Sequence, residues 1–169
     1  MSRQLLVYPN EILSRKAVEI EDINDFIRDL ARDMTSIMYE NRGIGLAAPQ
    51  VGEGVRLITV DVSGPENREN LMVLVNPEIV EAQGECEGEE GCLSVAGYRS
   101  IVKRAEKVQV RGLDLEGKEV VLDADDILAT CLQHEIDHLD GILFIDRISR
   151  LKRNLYDKKV MKWLKNKKE

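Results

Sequence analysis

The stretch Asp125-Asp126-Ile127-Leu128-Ala129-Thr130-Cys131-Leu132-Gln133-His134-Glu135-Ile136-Asp137-His138-Leu139-Asp140-Gly141 decides how this chain is read. Ile127, Leu128, Cys131, Leu132 and Leu139 recur at helical spacing, which predicts a helix over 125–140 with Gly141 as its C-terminal stop. That helix carries His134-Glu135-Ile136-Asp137-His138. Spacing i, i+4 puts both imidazoles on one helical face, about a turn apart, so both can reach one ion. Glu135 follows the first imidazole and can face a water on that ion. The chain has no other histidine. The bland alternative is a pair of solvated or hydrogen-bonded helix histidines. The metal reading therefore needs a real helix and a third ligand.

Outward from this helix, Ile148, Leu151, Leu155, Met161 and Leu164 predict a final helix over 148–164 with those residues as its inner stripe. Upstream, Ile23, Phe26, Ile27, Leu30, Met34, Ile37 and Met38 predict a first helix, capped by Asp22 or Asn24 and ended by Gly43. Between them, Val55–Val62, Leu71–Asn76, Lys107–Leu113 and Glu119–Leu122 read as strands, with Asp114-Leu115-Glu116-Gly117 as a hairpin connection. Helix, several strands, then two helices is an α+β order, not alternating βαβ units. No repeat or linker divides the chain, so residues 1–169 are read as one domain.

With 43% apolar and 33% charged residues the composition excludes a disordered or fibrous chain. No apolar run approaches the roughly 18–20 residues of a membrane span. The opening Met1-Ser2-Arg3-Gln4 reads as mature sequence, not as a secretion signal, which places the protein in the cytoplasm. Three cysteines, Cys86, Cys92 and Cys131, suit a reducing compartment. Residues 150–169 carry nine Lys/Arg against two acids, a net +7 that leaves −14 for the rest. Such polarity points to an anionic partner for the tail, the alternative being a solvated amphipathic helix.

For the third ligand, the region downstream of His138 offers Asp140, Asp146 and Asp157 but no histidine. Cys131 shares the face of His134, yet an ion level with residue 136 lies about 7.5 Å further along the axis. A cysteine plus a metal–sulfur bond of about 2.3 Å hardly spans that, so Cys131 reads as a buried packing residue. Cys92, between the glycines of Gly88-Glu89-Glu90-Gly91-Cys92-Leu93-Ser94, is the better candidate, against the alternative of a core cysteine beside a turn. Cys86, in the acidic run to Glu90, reads as an incidental surface thiol. A Cys-His-His set leaves one tetrahedral position open, the pattern of a catalytic and not a structural site.

Three motifs, in this order, carry a resemblance: Gly43-Ile44-Gly45-Leu46-Ala47-Ala48-Pro49-Gln50, Glu90-Gly91-Cys92-Leu93-Ser94, and Gln133-His134-Glu135-Ile136-Asp137-His138. With them the chain resembles the peptide deformylases over nearly its whole length. The resemblance implies antiparallel β-sheets packed around a central helix that bears the histidines. It implies Cys92, His134 and His138 as ligands of one divalent metal, ferrous iron physiologically, with zinc, nickel or cobalt able to replace it. It implies removal of the formyl group from N-terminal formyl-methionine of new polypeptides, with release of formate. Glu135 would move the protons, and the Gln50 amide with the Leu93 backbone N–H would stabilise the oxyanion. Gly45 and Gly91 would pair with the substrate main chain. Ile44, Glu90, Ile127, Thr130 and Cys131 would line the methionine pocket. For the basic tail it implies docking to ribosomal RNA. The rival readings are another metal-dependent amide hydrolase (an aminopeptidase or deacetylase), a metal-stabilised binding module, and a thiol redox protein, the last disfavoured by the lack of a C-x-x-C pair.

Overall fold

The run Leu57-Ile58-Thr59-Val60 is buried at all four positions. Successive side chains of a strand point to opposite faces, so a strand buried throughout needs cover on both. The computed structural model, which describes residues 2–168, supplies that cover with two helices. α1 (Asp25–Glu40) packs Leu30, Met34 and Met38 with Leu57 and Val75. α2 (Asp126–Leu139) packs Leu132, Ile136 and Leu139 with Ile58, Val60 and Leu74. Each such fully buried side chain contributes about 1.5–3 kcal/mol relative to exposure.

Between the helices lies an antiparallel sheet of β1 (Gly45–Ala47), β2 (Leu57–Val60), β3 (Met72–Gln83), β6 (Lys107–Leu113) and β7 (Glu119–Ala124), in the order β1-β2-β3-β6-β7. β4 (Cys86–Cys92) and β5 (Val95–Arg104) form a separate antiparallel pair. Its Val95 and Val102 share a second core with Leu13, Phe144 and Ile145, and with Tyr156 and Val160 of α3 (Arg150–Asn166). The α+β class, the three helices and the antiparallel sheets around α2 stand as expected. Among the described residues no helix is long and apolar enough to cross a membrane.

Local sequence explains the element ends. Asn24 caps α1, its side chain accepting from the Ile27 N–H at 3.1 Å. The left-handed residue after α1 is Arg42, at φ 59°, and not the expected Gly43. The Gly43 N–H then closes the turn on the Met38 carbonyl at 2.8 Å. Gly141 ends α2 as expected, at φ 75°. The Ile142 N–H reaches the Asp137 carbonyl (2.9 Å) and the Gly141 N–H that of His138 (3.2 Å), so two terminal carbonyls are satisfied. A Cβ on Gly141 would lie 2.6 Å from the Ser14 carbonyl oxygen. Strain and overlap together predict that Gly141→Ala costs about 2–4 kcal/mol, read as a lower urea midpoint at unchanged m-value.

Several expectations are corrected. The predicted strand 55–62 shrinks to Leu57–Val60, while that at 71–76 runs on to Gln83. β4 and β5 were not expected at all: Glu87-Gly88-Glu89-Glu90-Gly91 has little intrinsic preference for strand, and only pairing with β5 makes it one. Cys86 opens β4 half-buried, its thiol 3.9 Å from the Ala105 carbonyl, so it is not a plain surface thiol. α3 starts at Arg150 behind the Ser149 cap and turns Tyr156 and Val160 inward, while Leu151, Leu155 and Met161 stay exposed. A Tyr156 hydroxyl bond to the Ala96 carbonyl (3.0 Å) anchors that choice of face. The tail is helical to Asn166, and Glu169 lies outside the described residues.

Candidate active site

Three elements converge beside α2. The first is β1 with the 3₁₀ turn Ala48–Val51 that follows it, bringing Gly45 and Gln50. The second is the end of β4. Its pairing slips there, from Gly91 opposite Arg99 to Cys92 opposite Val95, and such an irregularity re-aims a side chain. The third is α2 itself, with His134, Glu135 and His138. Ser94 fastens the loop after Cys92, donating to the Leu6 carbonyl (2.6 Å) and accepting from Gln50 Nε2 (3.1 Å).

Ligand atoms of Cys92, His134 and His138 all lie within 4.8 Å of one another, and Cys92 Sγ is 3.4 Å from His138 Nε2. Bond lengths of about 2.3 Å to sulfur and 2.0–2.1 Å to imidazole place donors around one tetrahedral ion roughly 3.3–3.6 Å apart. Cys92 and His138 already have that spacing, and a thiol with two imidazoles is a donor set that fits such an ion. The Nδ1 of His134 lies 2.9 Å from Glu90 Oε1, which leaves its other nitrogen for the ligand side. Cys131 does not join them. Its buried thiol sits 3.6 Å from the Ile44 carbonyl, and burial first, then the Glu135 charge, push its pKa well up, so it stays protonated.

Glu135 is buried, and its Oε2 has no hydrogen-bond partner among the described residues. Burial pushes its pKa up to about 7, against the lowering effect of His134 and Arg104. Gln50 is buried too. Its Oε1 accepts from the Ala47 N–H (2.9 Å), which aims its Nε2 at Ser94 and brings it 3.7 Å from Cys92 Sγ. These groups border a cavity of about 680 Å³. The cavity wall also holds Ile44, Gly45, Gly91, Leu93, Thr130 and the exposed Ile127, with Cys131 buried beneath. Thus every residue expected from the sequence is brought to one place, His138 lying just behind the wall against Cys92.

Glu90 borders the cavity, but its carboxylate is committed elsewhere. Arg104 Nε and Nη2 donate to its two oxygens at 2.8 Å each, and His134 holds the third bond. Burial raises the Glu90 pKa, yet the Arg104 and His134 hydrogen bonds outweigh it and hold it at about 2. Sequence reasoning missed Arg104, whose place depends on the β4–β5 register. It also missed Asp137, bonded to both Arg104 and Arg147, although Asp137 stands inside the histidine motif. Arg42, Tyr98 and Arg99, which also line the cavity, carried no signal of their own.

A helix-borne His-Glu-x-x-His, with a cysteine from a neighbouring strand beside it and a cavity in front, has the pattern of a metal-dependent hydrolase site. The family model described as polypeptide deformylase matches residues 2–154. A peptide deformylase of Thermodesulfovibrio yellowstonii is 54% identical over 152 residues, covering 90% of this chain and 92% of its own. The crystal structure of a peptide deformylase from Legionella pneumophila superposes with TM-score 0.92 at 44% identity, over 100% and 99% of the two chains. That of the Ehrlichia chaffeensis peptide deformylase in complex with actinonin gives 0.89 at 39% identity, over 96% and 98%. The chain belongs to the polypeptide deformylase family of metal-dependent enzymes.

Proposed function

We propose that this enzyme removes the formyl group from N-terminal formyl-methionine of newly made polypeptides in the cytoplasm, releasing formate. One observation carries the site assignment: the Cys92, His134 and His138 donors converge beside the unpartnered carboxylate of Glu135 at the wall of a cavity. Cys92, His134 and His138 would hold a divalent cation, which would supply Lewis acidity for activating water and the formyl carbonyl. Thiolate and imidazole donors suit ferrous iron, zinc, nickel or cobalt, and the resemblance of the motifs favours iron.

Glu135 accepts a proton from the attacking water and delivers it to the leaving amine. Its free Oε2 and a pKa near 7 fit both halves of that task. Gln50 Nε2 and the Leu93 backbone N–H donate to the oxyanion as it develops. Gly45 and Gly91 pair with the extended main chain of the substrate. Space beside Gly45 is tight, since a Cβ there would meet Glu135 Oε1 at 2.6 Å and Cys131 Sγ at 2.8 Å. The methionine side chain occupies the wall formed by Ile44, Glu90, Ile127, Thr130 and Cys131, where a flexible thioether packs well. Formate release from a formyl-Met-Ala peptide by anaerobically purified, iron-loaded protein, and its loss on chelation, is the expected result. Hydrolysis confined to unformylated or acetylated peptides would replace this reading with an aminopeptidase or deacetylase.

The basic helix is proposed to contact ribosomal RNA. Lys152, Lys158, Lys162 and Lys165 are all exposed on α3, as phosphate contacts require. Tyr156 and Val160 belong to the core, so charge reversal is a cleaner test than truncation. Replacing those four lysines with glutamate is expected to weaken ribosome co-sedimentation at least about tenfold at moderate salt. kcat/KM on short formylated peptides should stay unchanged. Equal ribosome affinity would remove the proposal.

A further inference from the structure

Asp137 is clasped between two guanidinium groups. Arg147 donates Nε to its Oδ2 (2.6 Å) and Nη2 to its Oδ1 (2.8 Å), and Arg104 Nη1 also reaches Oδ2 (2.6 Å). Arg104 in turn holds both oxygens of Glu90, and Glu90 holds Nδ1 of His134. An unbroken run of charge-assisted bonds therefore leads from Arg147 to the imidazole. Arg147 is its outer end, with 41% of its side chain exposed, and it borders a separate cavity of about 270 Å³ that Arg104 and Asp137 also line.

A second contact comes from the same short segment. The 3₁₀ turn Phe144–Asp146 immediately precedes Arg147, and the Arg147 N–H closes it on the Phe144 carbonyl at 3.0 Å. The Phe144 ring stacks on His134, with centroids 6.2 Å apart and planes 26° from parallel. One segment thus reaches His134 by stacking and by charge. The bookkeeping of charge shows why the outer arginine matters. Glu90 and Asp137 are two buried anions, matched by Arg104 and Arg147. Without Arg147, one guanidinium must serve both carboxylates, and Asp137 competes with Glu90 for it. Glu90 is then less firmly held and less fully neutralised, and its bond to His134 changes in direction and strength.

We propose that Arg147 is a positioning residue for His134, acting through Asp137, Arg104 and Glu90. This rests on the proposed assignment of Cys92, His134 and His138 as metal ligands. Arg147 touches neither substrate nor reacting atoms. The fork geometry matters as well as the charge, because only a guanidinium can bind both oxygens of Asp137 in one plane.

The test uses the full chain loaded with cobalt(II). The visible d–d bands, the cobalt affinity by chelator competition, and the thermal midpoint by circular dichroism are compared for wild type, Arg147→Met and Arg147→Lys. In the Met variant the bands shift, cobalt affinity falls about tenfold, and kcat drops at unchanged KM. The Lys variant, which keeps charge but not the fork, recovers part of the affinity. Should the Met variant not fold, Arg147→Gln is read by the same criteria. A folded neutral variant with wild-type bands and wild-type cobalt affinity overturns the positioning role and leaves the metal site standing, even if its thermal midpoint falls. Wild-type protein that binds no cobalt overturns the metal assignment, and this role with it.

Discussion

Glu135→Ala is expected to lower kcat for deformylation by about 10²- to 10⁴-fold, the usual contribution of a positioned acid–base group. The carboxylate is buried, unpartnered at Oε2 and held up to a pKa of about 7 chiefly by burial. Those are the properties of a group poised to take a proton and return it. It is not among the three convergent donors, so the variant should still bind one metal per chain. Metal content measured beside formate release separates the two roles. A variant that holds metal and retains full activity would remove Glu135 from the mechanism and favour the binding-module reading. A variant that loses its metal would instead make Glu135 part of the site's architecture.

Arg104→Met is expected to be the most destabilising single change at the site, by about 3–5 kcal/mol. Its side chain is only 3% exposed, and it alone joins Glu90 to Asp137. Removing it leaves two buried carboxylates facing each other's field, one of them without its bidentate partner. For a chain of this size the thermal midpoint should fall by roughly 6–20 °C. The acid limb should move as well. The Glu90 pKa is raised by burial but held at about 2 by hydrogen bonds from Arg104 and His134, below its ordinary 4.5. Its contribution to stability is therefore complete above about pH 4.5 and is lost as pH falls through about 2. In the variant burial is no longer outweighed by Arg104, the Glu90 pKa rises, and the part of the stability that is lost below about pH 4.5 should shrink. Equal stability of wild type and variant between pH 3 and 7 would mean that the buried pairs only offset their own desolvation.

The two changes probe different levels of what is written in the chain. Glu135, His134 and His138 were legible because a helix fixes their relation: once residues 125–140 coil, i, i+4 geometry follows with no help from the rest of the molecule. Gly141 was legible for the same local reason, as a left-handed stop. The same holds for the β6–β7 hairpin, where Asp114 Oδ1 accepts from the Glu116 and Lys118 N–H groups at 2.9 Å. Cys92 was legible only as a candidate. Its sequence neighbours, glycines and glutamates, argue against the strand it ends, and its distance from the histidines depends on contacts between elements.

Tertiary structure alone decided the rest. The face that α3 buries follows from the Tyr156 hydroxyl finding the Ala96 carbonyl and the ring meeting Tyr98 at 4.9 Å, not from the count of leucines along the helix. The Arg104 network exists because β4 and β5 pair in one register, with Glu90 opposite Ser100 and Arg104 opposite Cys86, and because α2 then presents Asp137 to the same guanidinium. The sequence by itself determined the residues that a helix or a turn can order within one or two turns of chain. The convergence of Gln50, Cys92 and Arg104 on α2 required the packed fold, because each lies far from α2 along the chain and only burial of the strands between them brings their side chains together.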